Sequence, residues 1–165
     1  EEGKRHRDGF FALFPEILRY HDRRIKEVKK KLKVESPTGR VRHLVNVLST
    51  VGYIRAGAER QAINSPPQGL GADLALMGIV EMTPQIPKEE GLIVGDIHDA
   101  VLFELRQDVW KKWAKKILTT MEHPVLLDTF QLEPPIRLIA EGKVSQYWGE
   151  GEEFTLETLD TIKFP

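Results

Sequence analysis

Two short apolar runs separated by only two residues constrain the fold of this chain more than any other feature. Leu92–Ile97 and Ala100–Leu105 are rich in Ile, Val, Leu and Phe, and His98 and Asp99 stand between them. Runs of this length joined by two polar residues are typical of a β-hairpin. Because the apolar residues are nearly continuous, we expect both faces of the hairpin to be covered.

Helical periodicity surrounds the hairpin, so the whole pattern predicts an α+β fold. Ser65 followed by Pro66 is a helix-start signal, which divides the long helical region before the hairpin into two helices. The other expected elements are a long basic amphipathic helix over 8–33, helices over 55–64, 65–82 and 109–121, and a third strand over 135–141.

Composition excludes several classes of protein. The 165 residues are 41% hydrophobic and 30% charged, the balance of a globular protein with one main domain. The absence of Cys excludes a disulfide scaffold, a thiolate zinc site and a cysteine nucleophile. No apolar run approaches the ~20 residues that span a bilayer. We therefore expect a cytoplasmic protein with no membrane partner.

Charge is divided unevenly along the chain. The net charge is −1, yet residues 1–43 carry 13 Lys and Arg against 7 Asp and Glu. A basic segment can release counterions from a phosphate backbone, so nucleic acid is a candidate partner. The alternative is a solvated helix face, which is common in Lys-rich helices.

Asp99 is the first candidate for chemistry, because a carboxylate in a tight turn between two strands is held rigidly and suits a metal ion. The alternative is that Asp simply favours turns. A two-metal site needs at least two carboxylates. Asp96 lies three residues earlier, and this odd spacing on a strand points the two side chains to opposite faces. A second metal-binding acid is therefore expected from outside this sequence.

A polar row is the second candidate. Arg60, Asn64 and Gln68 are spaced i, i+4 and i+8, which places them on one face of a continuous helix. Such a row could follow a groove or a phosphate strand. The alternative is an exposed polar stripe in which Asn64 caps a helix.

These residues lie within a longer motif. The run over 58–74, AERQAINSPPQGLGADL, resembles the E-R-x-x-x-N-x-P-x-Q-G-x-x-A-D signature of family A DNA polymerases, the bacterial polymerase I type also used by many phages. Residues 97–100, IHDA, resemble the V-H-D-E motif of that family. Residues 39–42 are similar to its G-R-R-R turn, and residues 135–148 to its closing segment. The resemblance covers roughly residues 8–150.

The resemblance implies a palm-type antiparallel sheet that is packed against helices. Residues 1–52 would be the end of the fingers, 53–150 the C-terminal half of the palm, and 151–165 an acidic tail. The implied partners are primer-template DNA, deoxynucleoside triphosphates and an N-terminal polymerase portion, in a bacterial cell or in the host of a phage. An organelle is the other location considered.

The resemblance also implies site residues for template-directed DNA synthesis. Asp99 would be catalytic and would bind metal, as one of two aspartates that hold two Mg²⁺ ions. His98 would lie against the primer terminus, while Arg60, Asn64 and Gln68 would contact the primer-template duplex. The aspartate motif of the first palm strand, the nucleotide-gripping fingers helix and the thumb are missing from this sequence. We therefore predict that the chain alone has no polymerase activity.

One residue departs from the family pattern at the centre of the site. Ala100 stands where the family usually has Glu, which favours a competing hypothesis, a non-catalytic module that binds nucleic acid or serves assembly on a palm-like scaffold. A third hypothesis is a metal phosphohydrolase that uses Asp96 and Asp99, against which the strand geometry argues.

Overall fold

The computed structural model describes residues 2–98 and 100–164, and these residues contain five helices and six short strands. They confirm the α+β class. The described residues up to Leu70 form one compact unit, and those from Gly71 onward form another. The helices are α1 (Glu2–Leu13), α2 (Pro15–Lys31), α3 (Gly52–Met82), α4 (Trp110–Glu122) and α5 (Val125–Thr129). The strands are β1 (Lys33–Glu35), β2 (Val41–His43), β3 (Gly91–Ile97), β4 (Ala100–Leu105), β5 (Gly142–Val144) and β6 (Glu152–Phe154), and 3₁₀ turns lie at Val45–Leu48 and Leu159–Thr161.

The long basic helix expected over 8–33 is two helices, α1 and α2, so the prediction of one continuous helix was wrong. Phe14 leaves the helical conformation, with φ −124° and ψ 65°, and Pro15 begins α2. A residue before proline is pushed away from the helical region by the proline ring. Pro15 is then well suited to the first position of a new helix, where no backbone donor is needed.

The first unit is held together by a small core between α2, the β1–β2 hairpin and the first half of α3. β1 and β2 pair antiparallel, with Val34 opposite Arg42. The buried side chains of this core are Val28, Val34, Leu44, Val47, Ala58 and Ala62.

One uninterrupted helix, α3, replaces the two helices expected over 55–64 and 65–82. Ser65 is not an N-cap there, because its hydroxyl donates backward to the carbonyl of Gln61 at 2.6 Å. Pro67 has no N–H to donate to the Ile63 carbonyl four residues earlier. The hydroxyl of Tyr20 on α2 donates to that carbonyl instead, at 2.9 Å. A tertiary hydrogen bond thus supplies what the proline removes.

We predict that Tyr20→Phe lowers the free energy of unfolding by about 1–2 kcal/mol, since a partly buried carbonyl loses its donor. Burial raises the pKa of the Tyr20 hydroxyl, so the group is a donor throughout the neutral range. Urea unfolding of both proteins measures the difference. Tyr53→Phe is the matched control, because Tyr53 is 79% exposed. Equal losses in the two variants would contradict the role given to Tyr20.

The predicted β-hairpin is confirmed in the second unit. β3 and β4 pair antiparallel from Gly91 opposite Leu105 to Ile97 opposite Ala100. The register shifts between Ile93 and Gly95, so a bulge lies within β3.

The hairpin is not covered on both faces in the described part of the chain, contrary to expectation. Leu92, Val94 and Ile97 are 50%, 57% and 48% exposed, whereas Ile93 and Phe103 are partly buried against the core. The side chains of a strand alternate between two faces. The elements of this unit pack on one of those faces only.

Helix α4 lies against the hairpin and the end of α3, as its apolar periodicity predicted. Gly78 of α3 permits a close approach, because a Cβ there would overlap the Met121 sulfur. The buried members of this core are Met82, Ile86, Trp113 and Ile117, and Ile93, Phe103, Leu105, Val109 and Met121 pack against them.

The third strand expected over 135–141 is absent from the described structure, and that prediction was wrong. Pro134 and Pro135 have no backbone donor, and the N–H of Ala140 donates to the Glu122 carboxylate at 3.3 Å. Arg137 donates to the same carboxylate at 2.8 Å. A buried acid on α4 therefore holds this segment. Strand pairing begins only after it, where β5 pairs with β6.

Glu122 gives the protein a defined response to acid. The hydrogen bond from Arg137 lowers the pKa of Glu122 below its ordinary 4.5. A lowered folded pKa stabilises the protein above the unfolded value, and this contribution is lost as the pH falls through the folded value.

We therefore predict that unfolding free energy falls more steeply between about pH 5 and pH 3 in the wild type than in Glu122→Gln. Denaturant unfolding at each pH measures both slopes. Parallel slopes would contradict the assignment.

The C-terminal segment is more than the acidic tail expected from its composition. Phe154 and Phe164 lie around Trp110, with ring centroids 5.8 and 6.1 Å away. Lys111 donates to the Asp160 carbonyl at 3.0 Å. The segment therefore completes a second apolar cluster on α4. Its buried members are Trp110, Ala114, Leu118, Phe154 and Leu159.

Among the described helices, none combines the length and the apolar character that crossing a membrane requires.

The division of the sequence into fingers, palm and tail at residues 52 and 150 assigns functional roles to the segments, and it stays a prediction.

Candidate nucleic-acid interface

The polar row lies on α3, within the first unit. Arg60, Asn64 and Gln68 are all exposed. Successive members differ by about 40° around the helix axis, so all three lie within about 80° of one another. The uninterrupted helix gives the row the shared face that its spacing predicted.

A groove beside Gln68 adds two cations to this surface. It has a volume of about 360 Å³, with Arg40 and Arg42 of the β1–β2 hairpin on one side and Gln68 of α3 on the other. None of its lining residues is acidic. The lining residues are Val34, Ser36, Arg40, Val41, Arg42, Ser65, Pro66, Gln68 and Gly69.

The turn between β1 and β2 fixes the cationic side of the groove. The hydroxyl of buried Ser36 accepts a hydrogen bond from the Arg40 N–H at 3.0 Å, and the Ser36 N–H donates to the Arg40 carbonyl at 2.9 Å. Gly39 has φ +84°, a conformation that favours glycine. A Cβ at Gly69 would lie 3.3 Å from the Ser36 Cβ. Glycine at residue 69 therefore lets the turn approach α3 closely.

The groove has the donors that a nucleic acid requires. Guanidinium groups bind phosphate oxygens with several parallel hydrogen bonds. A carboxamide donates to acceptors on a base edge or sugar. A surface with both kinds of donor and no acid among its lining residues suits a polyanion that also presents bases.

The candidate residues on the β3–β4 hairpin belong to the second unit. His98 is exposed and has φ +59°, as expected for the first residue of a two-residue hairpin turn. Asp99 lies outside the described residues, so its metal-binding role stays a prediction. Asp96 is exposed and pairs with Val101. Among the residues with described side chains, no three His, Asp or Glu cluster as a metal site.

Sequence reasoning missed two contributors to this surface. Arg42 lines the groove. Its only signal in the sequence was the similarity of residues 39–42 to the G-R-R-R turn. Tyr20 supports α3 next to Asn64. Its signal was indirect, because Pro67 leaves the Ile63 carbonyl in need of a donor.

Comparisons with known proteins identify the family. The model of DNA polymerase family A matches residues 1–150. DNA polymerase theta of Drosophila melanogaster is 33% identical over an alignment 165 residues long, and this alignment covers 94% of this chain and 8% of that protein. DNA polymerase I of Pseudomonas aeruginosa is 29% identical over 153 residues, which cover 91% of this chain and 16% of that protein.

A solved structure agrees with these sequence matches. The polymerase domain of Pol1 from M. smegmatis, in complex with DNA primer-template and dNTP, has a TM-score of 0.68 and 25% identity. The match covers 74% of this chain and 22% of that one. This chain thus spans less than a quarter of each of these relatives. Sequence and fold together show that the chain belongs to DNA polymerase family A.

Proposed function

We propose that this chain supplies the end of the fingers and the C-terminal half of the palm of a template-directed DNA polymerase. The observation that carries the proposal is the exposed row of Arg60, Asn64 and Gln68 on one uninterrupted helix, beside a groove that Arg42 lines. Residues 1–52 belong to the fingers, 53–150 to the palm and 151–165 to the tail. The proposed partners are primer-template DNA, deoxynucleoside triphosphates and an N-terminal polymerase portion, in the cytoplasm.

The polar row holds the duplex near the primer end. Purine N3 and pyrimidine O2 present acceptors in the minor groove of every base pair, so amide and guanidinium donors can test pairing geometry without reading sequence. Gln68 and Asn64 supply such donors, and Arg60 adds a charge that can meet a phosphate. A copying enzyme needs this kind of contact, because its substrate sequence varies at every step.

The hairpin tip brings the reacting groups to the primer terminus. His98 would lie against the terminal nucleotide, and Asp99 would hold magnesium together with a carboxylate from the N-terminal portion. The chemistry that magnesium would supply there is neutralisation of charge on the transferred phosphate. The place of His98 supports this role, because it is exposed and directly follows β3 at the end of the hairpin.

Catalysis requires the second carboxylate, so the proposal includes inactivity of this chain by itself. A palm-like module that binds DNA without catalysis is the alternative, and Ala100 is the residue that favours it. The two functions differ in one respect. The module binds DNA but gives no synthesis with any N-terminal portion.

Binding to two DNA ligands of equal length tests the proposed contact with the primer end. One ligand has a recessed 3′ end on a longer template, and the other is a blunt duplex. We expect tighter binding to the recessed end, measured by fluorescence anisotropy. Equal affinity for the two ligands, with no change in Arg60→Ala, would overturn the role of the polar row.

A further inference from the structure

The cations of α2 fall into two groups according to their ion pairs. Four are paired with carboxylates within the first unit. These pairs are Arg19 with Glu16, Arg24 with Glu27 at 2.9 Å, Lys29 with Glu59 at 2.7 Å, and Lys31 with Glu27 at 2.8 Å. The other three, Arg23, Lys26 and Lys30, form no ion pair with any residue that the structure describes.

The three unpaired cations share one face of the helix. Their spacing is i, i+3 and i+7, which places them within about 60° of one another around the axis. All three are exposed. We call Arg23, Lys26 and Lys30 the basic stripe. Two exposed acids of the same helix border it, Asp22 and Glu16, and Glu16 is paired with Arg19.

The basic stripe has the dimensions of a short length of nucleic-acid backbone. Seven residues of α-helix extend about 10 Å. One strand of duplex DNA carries a phosphate about every 3.4 Å along the axis, so this length matches roughly three phosphates. The other cations of α2 are held in ion pairs, so the stripe contains the basic side chains of this helix that form no ion pair within the described residues.

We propose that the basic stripe binds the phosphate backbone of double-stranded DNA, independently of sequence, as a contact additional to the polar row on α3. Its three members carry no aromatic ring, and binding of single strands depends largely on bases stacked on rings. The ring of Tyr20 lies 6.0 Å from the Arg23 guanidinium, and the Tyr20 hydroxyl bonds to the Ile63 carbonyl. A rigid duplex backbone is the partner that such a row of charges fits.

The proposal takes its partner, duplex DNA, from the proposed function, yet it concerns different side chains. The basic stripe is not part of the groove beside Gln68. Loss of the stripe therefore removes a phosphate contact and leaves the base-edge contacts of α3 in place. Its effect is a change in salt dependence without a change in the preference for a recessed primer end.

The test is the salt dependence of binding by the full 165-residue chain to a fluorescent 20-base-pair duplex. The variant is Arg23→Gln/Lys26→Gln/Lys30→Gln. If all three cations meet phosphates, the slope of log K against log salt becomes about 2.7 less negative, since each duplex phosphate contributes about 0.9. Circular dichroism and thermal unfolding establish that the variant is folded, which is expected because all three residues are exposed.

A matched control removes the same charge elsewhere. Lys88, Lys115 and Lys116 are exposed, and their triple change to Gln lowers the net charge equally. The proposal predicts little change in slope for this control. Equal slope changes in the two variants would overturn it, and so would an unchanged slope in the stripe variant.

Two further outcomes also contradict the stripe. If the wild-type chain fails to bind any DNA, the proposed function fails with it, whereas binding with an unchanged variant slope refutes the stripe alone. If the variant keeps its DNA slope but loses retention on vesicles of anionic phospholipid, the stripe is a membrane-surface contact and the DNA proposal is wrong.

Discussion

Asp99→Asn is expected to reduce nucleotide addition at least about a thousandfold in a polymerase that contains this chain and its N-terminal portion. The carboxylate is proposed to hold the metal that stabilises charge on the transferred phosphate, so its loss acts on the transition state. Binding of primer-template DNA should change little, because Arg60, Asn64 and Gln68 on α3 are untouched. Single-turnover extension at saturating Mg²⁺, with DNA affinity measured in parallel, separates the two effects.

Asp96→Asn is the matched control for this prediction. Asp96 is an exposed aspartate on β3, paired with Val101, and it lies three residues before Asp99. Asp96 belongs to the paired part of β3, before the two residues that link the strands. We expect a far smaller loss of rate. Equal losses in the two variants would show that the wrong acid has been assigned.

Gln68→Ala is expected to weaken extension from a matched primer and to alter discrimination at a mismatched primer end by about tenfold or more. One lost base-edge contact is worth about 1–3 kcal/mol. The effect should be similar for all four terminal base pairs, because the minor-groove acceptors do not depend on sequence. Single-turnover extension from matched and mismatched primers measures it.

Gln107→Ala serves as the control for Gln68→Ala. Gln107 is an exposed glutamine in the turn before α4, so the same amide is removed away from the polar row. We expect wild-type rates from this control. If Gln68→Ala also keeps wild-type rate, affinity and mismatch extension, the row on α3 is only a solvated helix face.

The elements that depend on local pattern could be predicted from the sequence. The β3–β4 hairpin follows from two apolar runs and a two-residue turn, and α4 follows from the spacing of its Trp, Ile and Leu residues. Both signals lie within one element, so no distant residue is needed to interpret them. The polar row was predictable only in part, because its spacing assigns the three residues to one face of a continuous helix, whereas the helix start expected at Ser65 divided the row.

The features that the sequence could not reveal depend on distant partners. The prolines of α3 are normally read as a helix boundary, and the Tyr20 hydroxyl that bonds to Ile63 lies 43 residues away. The missing third strand depends on Glu122, whose carboxylate takes the Ala140 N–H. The groove likewise needs Arg42 and Gln68 to meet through tertiary packing. Such contacts have no local pattern.

The packing of the C-terminal segment could not be predicted for a different reason. Its composition is acidic, yet Phe154, Leu159 and Phe164 pack on α4 around Trp110. Average composition conceals apolar residues that recur at intervals within a charged segment. Burial of those few side chains decides the structure, because each contributes about 1.5–3 kcal/mol on leaving water.

Reconstitution is the measurement that tests the central claim most directly. The purified 165-residue chain is assayed for primer extension alone and again with an N-terminal family A polymerase portion that carries the other palm aspartate, with Mg²⁺ and deoxynucleoside triphosphates present. We predict no extension by the chain alone, extension by the combination, and loss of that extension in Asp99→Asn. Extension by the chain alone, or a folded DNA-bound combination that extends no primer, would contradict the claim that this chain is the C-terminal half of a polymerase palm.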